Sequence, residues 1–280
     1  VSAAETETAS KASEQAGQVD LHSHLVPGVD DGARSLEDVQ EGVARMWERG
    51  VTTIVTTPHL DGTMTLEPRI LDRHLARMDR AFRAAAEVVR RDFPRMTFLR
   101  GHEIKLDCPD PDLSDQRLRL ADSNVVLVEW PGLRIPPETP RVLRTLREQD
   151  VEFLIAHVER YRGYDEGLTV LEQWREEGAF LQVNHGSLVG RYGNDVRRLS
   201  FRLLERGWVD CLASDFHGRP TLRLYITAAR RLLQELDAEE AWTLLTEVNP
   251  ARIIGGEQPL AVPPVKMERG VWKRLASLFR

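Results

Sequence analysis

Short β-branched or apolar runs alternate with amphipathic stretches from residue 18 to about residue 256, and this alternation restricts the fold more than any other feature of the chain. Residues 51–57 (VTTIVTT) show the pattern at its plainest, since a β-branched run of that kind packs well on a pleated surface and poorly on a helix. Just before it, Leu36, Val39, Val43, Met46 and Trp47 fall on one face of a helix over residues 35–49. Ser35 suits its N-cap, Asp38 its positive end, and Gly50 its exit. The same reading predicts strands at residues 19–22, 96–99, 125–129, 153–156, 180–183 and 211–213. Helices are expected at residues 68–91, 140–149, 168–177, 196–206, 223–236 and 239–248. Alternating strands and helices imply a parallel sheet. Near-continuous apolar strands imply burial on both faces. Seven or eight such units fit a closed α/β barrel better than the runner-up, an open doubly wound sheet.

The residues just past each strand carry the chemistry. The first strand is followed by His22-Ser23-His24 and then Asp30-Asp31-Gly32, and the second by Pro58-His59. The third leads to Gly101-His102-Glu103, the fourth ends in Glu129, and the fifth leads to His157-Val158-Glu159-Arg160. The sixth leads to Asn184-His185 and the seventh to Ser214-Asp215-Phe216-His217. In a parallel barrel these ends share one rim, where such folds keep their sites. The pairs His22/His24 and Asp215/His217 are spaced i, i+2, which on a strand shares a face. Imidazole and carboxylate together suit Zn, Mn, Fe or Co better than Ca or Mg alone. Seven of the eight histidines follow expected strands, which scattered surface histidines would not do. The exception, His74, lies in a helical stretch and reads as solvated.

Other chemistries fit less well. A cysteine phosphatase needs an arginine six residues after its nucleophile; Cys108 is followed there by Ser114 and Cys211 by His217. No glycine-rich phosphate loop, serine elbow or Cys-x-x-Cys pair is present. Two cysteines exclude a disulfide framework. A net charge of -6 excludes broad attraction to nucleic acid. No apolar run reaches the ~20 residues of a membrane span, and the start lacks a signal-peptide pattern. A cytoplasmic location is expected. Residues 1–17 are small and polar and read as a flexible arm, in a chain that starts at Val1.

The segments DLHSHLVPGVDDGARS (20–35), TTIVTTPH (52–59), GHEI (101–104), IAHVERY (155–161), QVN (182–184) and ASDFHGRP (213–220), in that order, resemble the polymerase and histidinol phosphatase (PHP) superfamily. Within it the chain looks most like the bacterial protein-tyrosine phosphatases of capsular and exopolysaccharide operons, over residues 19–255. The resemblance implies a distorted (β/α)7 barrel with three divalent metal ions, Mn first and Fe, Zn or Co as alternatives. His22, His24, Glu103 and Asp215 would hold one ion; Glu103 would bridge to a second that His157 also holds; Asp31, His59 and His217 would hold the third. Arg160 and Arg219 match phosphate-facing arginines, with Arg219 closer to His217 than in some relatives. His102 and His185 match no ligand and read as neighbours of the ligands, and Asp30 as a residue that orients a ligand or shapes the turn.

The activity implied is metal-dependent hydrolysis of phosphotyrosine on a bacterial tyrosine autokinase that controls polysaccharide synthesis and export. A phosphatase for a small molecule such as histidinol phosphate or a nucleotide is the alternative, followed by a non-catalytic metal-binding regulator. Beyond residue 256, Pro259, Pro263 and Pro264 mark a linker. Val271, Trp272, Leu275, Leu278 and Phe279 recur at helical spacing among Lys266, Arg269, Lys273, Arg274 and Arg280. Such a basic amphipathic segment docks on its own barrel, on a neighbouring subunit of a homo-oligomer, or on an anionic membrane surface at the inner face. The first two are favoured over the third.

Overall fold

The computed structural model describes residues 17–266. The strands are β1 (Gln18–Ser23), β2 (Val51–Thr56), β3 (His59–Asp61), β4 (Thr97–Arg100), β5 (Glu103–Lys105), β6 (Val125–Glu129), β7 (Glu152–Ile155), β8 (Phe180–Asn184) and β9 (Cys211–Ala213). Every pairing between them is parallel, in the order β1-β2-β4 and β3-β5-β6-β7-β8-β9.

The two sheets are one barrel. Gly101 N donates to Thr56 O at 2.9 Å and Glu103 N to Pro58 O at 3.1 Å, so pairing continues across the breaks between β2 and β3 and between β4 and β5. The circle closes between β9 and β1, where Ser23 bridges Phe216, Asp215 N donates to His22 O and His24 N to Phe216 O, both at 2.8 Å. With β2/β3 and β4/β5 each counted as one bent strand, seven strands surround the axis, as the alternation predicted. What the sequence reading passed over is that two strands resume after a kink. Proline lacks the amide hydrogen that a regular ladder needs at residue 58.

Alternation along the strands sorts the core. On β6, Val125 and Leu127 join Leu21, Val55, Leu154, Phe180 and Cys211 inside the barrel, while Val126 and Val128 face the helices. Glu129 continues the inward face of β6 at its carboxyl end, as Gln182 and Asn184 continue that of β8 from Phe180. The barrel is thus apolar at its base and polar at its mouth.

Outside pack α1 (Leu36–Trp47), α2 (Pro68–Asp92), α3 (Thr139–Arg147), α4 (Thr169–Glu176), α5 (His185–Leu188), α6 (Asn194–Glu205), α7 (Ile226–Gln234), α8 (Glu239–Thr243) and α9 (Asn249–Ile254). Helix α1 starts as expected: Ser35 Oγ accepts from Asp38 N, and Val39, Val43 and Met46 are buried. Helix α7 starts three residues later than expected, which leaves Arg223 and Tyr225 outside it at the barrel mouth. The proline-containing stretch after residue 256 lies against the barrel: Val262 and Val265 are buried and Val265 N donates to Leu204 O at 3.0 Å. The N-terminal arm up to residue 16 and the basic amphipathic segment from residue 268 lie outside the described residues. Among the described residues no helix is long and apolar enough to cross a membrane.

Candidate metal centre

All eight residues expected as ligands meet at the barrel mouth, and Glu103 is their hub. It opens β5 directly after the kink and is 1% exposed. Its Oε2 lies 3.1 Å from His22 Nε2, 3.3 Å from His24 Nε2 and 3.1 Å from His59 Nδ1, while Oε1 lies 3.0 Å from His157 Nε2. Asp215 Oδ1 is 3.6 Å from His22 Nε2, from His24 Nε2 and from His217 Nδ1. Asp31 Oδ1 lies 3.5 Å from His59 Nε2 and 3.4 Å from His217 Nε2.

Backbone irregularities aim these side chains. β1 shifts register between Asp20 and Ser23, which lets His22 reach inward although Leu21 before it also belongs to the interior. His157 and Asp215 adopt left-handed conformations, at φ 36° and 51°, just past the ends of β7 and β9. Such geometry costs on the order of 1–3 kcal/mol for a non-glycine residue and persists only where the surroundings impose it. Gly32 permits the close turn that brings Asp30 and Asp31 to the mouth, since a Cβ there would lie 2.3 Å from His24 O.

The residues present fit divalent cations. His22 Nδ1 donates to Gln182 Oε1 at 3.0 Å and His24 Nδ1 to Asp30 Oδ2 at 2.7 Å, which directs each Nε2 lone pair towards Glu103 and Asp215. Fixing the far nitrogen in this way is what metal-bound imidazoles require. Glu103 Oε2 and His59 Nδ1 are buried without a hydrogen bond although they face each other. Without cations the cluster needs protons. Burial alone would hold the His22 imidazole neutral, but the Glu103 and Asp215 carboxylates outweigh it and push it up to about 9. Burial likewise opposes charge on Glu103, yet His22, His157 and His24 hold it well below the usual carboxylate range. Divalent ions replace such protons. Among the described residues, three groups bring ligand atoms within 4.8 Å of one another: His22 with His24 and Glu103; His24 with Asp31, His59 and His217; and His59 with Glu103 and Glu129.

Glu129 is the donor that the sequence reading did not select. Its position at the carboxyl end of a strand was the available signal. Burial and the Glu103 charge push its carboxyl up to about 7, and the Tyr161 hydroxyl accepts from Trp130 N at 2.9 Å beside it. Asp30 fills both expected parts: besides His24 it accepts from Gly32 N at 2.9 Å and from His59 N at 3.1 Å.

The cluster opens into a cavity of roughly 450 Å³ whose wall includes Arg160, Arg191, Tyr192, Leu222, Arg223 and Tyr225. Arg160 Nη1 donates to Asp215 Oδ2 at 2.8 Å, and its guanidinium lies 4.5 Å from the Tyr192 ring centre. Arg219 sits differently from the expectation. Its guanidinium donates to the carbonyls of Asp31 and Gly32, so it braces the turn and does not line the cavity. Arg191 and Arg223, which the motifs did not single out, do. His102 and His185 are buried and outside the cavity wall, their imidazoles pushed by burial down to about 3 and about 4. His74 is half-buried, 6.4 Å ring to ring from His102, not fully solvated as expected. Cys211 is buried in the barrel interior, and neither cysteine lines the cavity.

The family model for capsular polysaccharide synthesis, CpsB/CapC, matches residues 18–255. The tyrosine-protein phosphatase YwqE of Bacillus subtilis (strain 168) is 28% identical over 254 residues, which span 90% of this chain and 97% of YwqE. The tyrosine-protein phosphatase CpsB of Streptococcus pneumoniae is 28% identical over 84% of this chain and 98% of its own. Among solved structures, one from the work on YwqE and CpsB, called unique metal-dependent tyrosine phosphatases, superposes with a TM-score of 0.71 at 27% identity. It covers 90% of this chain and 100% of that one. An amidohydrolase from Mycoplasma synoviae shares the fold, with a TM-score of 0.55 at 12% identity.

Proposed function

Because the chain belongs to the CpsB/CapC capsular polysaccharide synthesis family, we propose that it is a metal-dependent phosphatase that hydrolyses phosphotyrosine in proteins. The convergence of His22, His24, His59, His157, His217, Asp31 and Asp215 around Glu103, with Arg160 beside them, is the observation that carries this reading. Three divalent ions, Mn first, are the proposed complement. His22, His24, Glu103 and Asp215 would hold one, Glu103 and His157 with Glu129 a second, and Asp31, His59 and His217 a third. Divalent ions supply neutralisation of phosphoryl oxygens and lower the pKa of water from ~15.7 towards about 7.

The protein's own groups do the rest. Arg160 is held by Asp215 and stacked on Tyr192, so its planar fork is already oriented for two phosphoryl oxygens. Such preorganised charge acts without rearranging during the reaction. Tyr192, Leu222 and Tyr225 give the cavity the apolar wall that an aryl ester needs. A phenol leaving group, with a pKa of about 10, makes little demand on a general acid. The proposed protein substrate is a bacterial tyrosine autokinase of the same polysaccharide system.

Metal analysis and turnover of a phosphotyrosine peptide beside histidinol phosphate, on one sample, test the proposal. Chelation should abolish peptide hydrolysis and Mn or Co should restore it. Turnover by exhaustively metal-free protein, or preference for histidinol phosphate, would overturn it.

A further inference from the structure

A second groove, of roughly 670 Å³, adjoins the catalytic cavity and shares Gly132, Leu133, Arg160 and Tyr192 with its wall. Arg134 and Arg162 line its far part and are both exposed. The backbone sets them side by side: the two residues form a parallel bridge, with Arg162 N donating to Leu133 O at 2.9 Å and Ile135 N to Arg162 O at 3.4 Å. Bridged residues sit one strand spacing apart with side chains on the same face, so both arginines can reach one ligand. Some surface arginines are held by carboxylates, as Arg144 is by Glu177, Arg117 by Asp115 and Asp72, and Arg198 by Asp195. Among the described residues no carboxylate pairs with Arg134 or Arg162. Asp195, the exposed acid in the groove wall, is already held by Arg198. Two adjacent arginines thus present positive charge beside the catalytic cavity of a chain whose net charge is -6.

We propose that this groove binds the peptide flanking the phosphotyrosine, and that Arg134 and Arg162 select acidic side chains in it. The inference rests on the phosphotyrosine reading above. Once the aryl phosphate occupies the metal-lined cavity, the adjoining chain must leave across its rim, and the Leu133–Tyr192 boundary opens that way. A carboxylate there gains charge-assisted hydrogen bonds from the two arginines. The site is exposed, so its effect is modest and salt-sensitive.

The test uses the metal-loaded full chain and four substrates: p-nitrophenyl phosphate, and phosphotyrosine peptides flanked on both sides by Asp, by Ala or by Lys. At low salt the parent should prefer the Asp peptide to the Ala peptide by roughly five- to ten-fold in kcat/KM, the scale of two exposed charge pairs. Arg134→Ala/Arg162→Ala should remove that preference and leave p-nitrophenyl phosphate and the Ala peptide within two-fold of the parent. Arg134→Glu/Arg162→Glu should turn the preference towards the Lys peptide. A parent indifferent to the flanks, or a double variant that keeps the Asp preference, overturns the groove assignment while leaving the phosphotyrosine reading intact. Hydrolysis of p-nitrophenyl phosphate with none of the peptides overturns both.

Discussion

Asp30→Ala tests whether the carboxylate behind the cluster governs metal binding. Asp30 is not itself among the proposed ligands. Its side chain is 5% exposed, and it accepts three hydrogen bonds, from His24 Nδ1 at 2.7 Å, Gly32 N at 2.9 Å and His59 N at 3.1 Å. Those bonds set the His24 ring, the turn that carries Asp31, and the backbone of His59. Three proposed ligands therefore lose their orientation together when the carboxylate goes. Hydrogen bonds to a charged group contribute ~1.5–3 kcal/mol each, but a surrounding that relaxes recovers part of the loss. The expected destabilisation is about 3 kcal/mol, or a fall of roughly 6–12 °C in Tm for a chain of this size.

Loss of a partner behind a metal-bound histidine lowers metal affinity ~10–100-fold. Chelator competition with Mn, at a temperature where both proteins are folded, should show that drop. At saturating Mn the variant should recover much of its kcat, because Asp30 touches no reacting atom. Asp30→Asn keeps one acceptor oxygen, which serves either His24 Nδ1 and His59 N or Gly32 N but not all three, and should fall between parent and Ala. A folded Asp30→Ala protein that binds Mn within two-fold of the parent would refute the reasoning.

Arg160→Ala should keep the metal content and lower kcat/KM on a phosphotyrosine peptide by ~10²–10³, the usual cost of one preorganised charge-stabilising donor, whereas His22→Ala should lose metal as well; metal stoichiometry, Tm and kcat/KM on both variants separate the roles. If Arg160→Ala keeps near-parental kcat/KM, its role at the phosphate is wrong. Cys108→Ser and Cys211→Ser should each leave hydrolysis within a few-fold of the parent, since neither sulfur lines the cavity; a phosphocysteine trapped by mass spectrometry would contradict this. His185 is buried with its imidazole pushed down to about 4 from the ordinary 6.5, so the unfolded chain binds more protons between those values and the native state loses stability as pH falls from 6.5 towards 4. Removing that burden with His185→Gln should shrink the loss between pH 7.5 and 5 by about 2 kcal/mol, read by urea unfolding; an identical pH slope in the two proteins refutes it.

Much of this arrangement was legible because strand ends are legible. Runs such as residues 51–57 and 125–129 announce strands by composition, and polar residues after them then lie on one rim by the geometry of a parallel barrel. What lay beyond sequence reasoning was direction. An arginine's reach exceeds the spacing between neighbouring positions on the rim, so residue order did not tell that Arg219 folds back on the Asp31–Gly32 carbonyls while Arg191 and Arg223 turn towards the cavity. Glu129 lacked the histidine neighbours that drew attention to Glu103, although it ends a strand in the same way. His102 and His185 share the spacing of the cluster, but burial and packing, as of His185 near the Trp242 ring, put them behind the strands.

The same residues break local rules where function is proposed. Asp215 and His157 hold positive φ, β1 slips register beneath His22, and Glu103 Oε2 is ringed by three imidazole nitrogens with no hydrogen bond to any of them. A sequence selected for the barrel alone would place apolar side chains at the mouth as it does at the base, where Leu21, Val55, Leu127 and Leu154 meet. Conflicts between local preference and fold concentrate at functional sites because only a gain from binding keeps them. Here the missing gain has a sign. Imidazole lone pairs turned on carboxylates repel unless positive charge stands between them, and protons satisfy that need only while the pH allows. Cation binding to the folded state alone then adds RT ln(1 + [L]/Kd) to stability, ~2.7 kcal/mol at a hundred-fold excess over Kd. The barrel tolerates its strained mouth because its apolar base, where Leu21, Val55, Leu127 and Leu154 meet, is packed independently of the mouth.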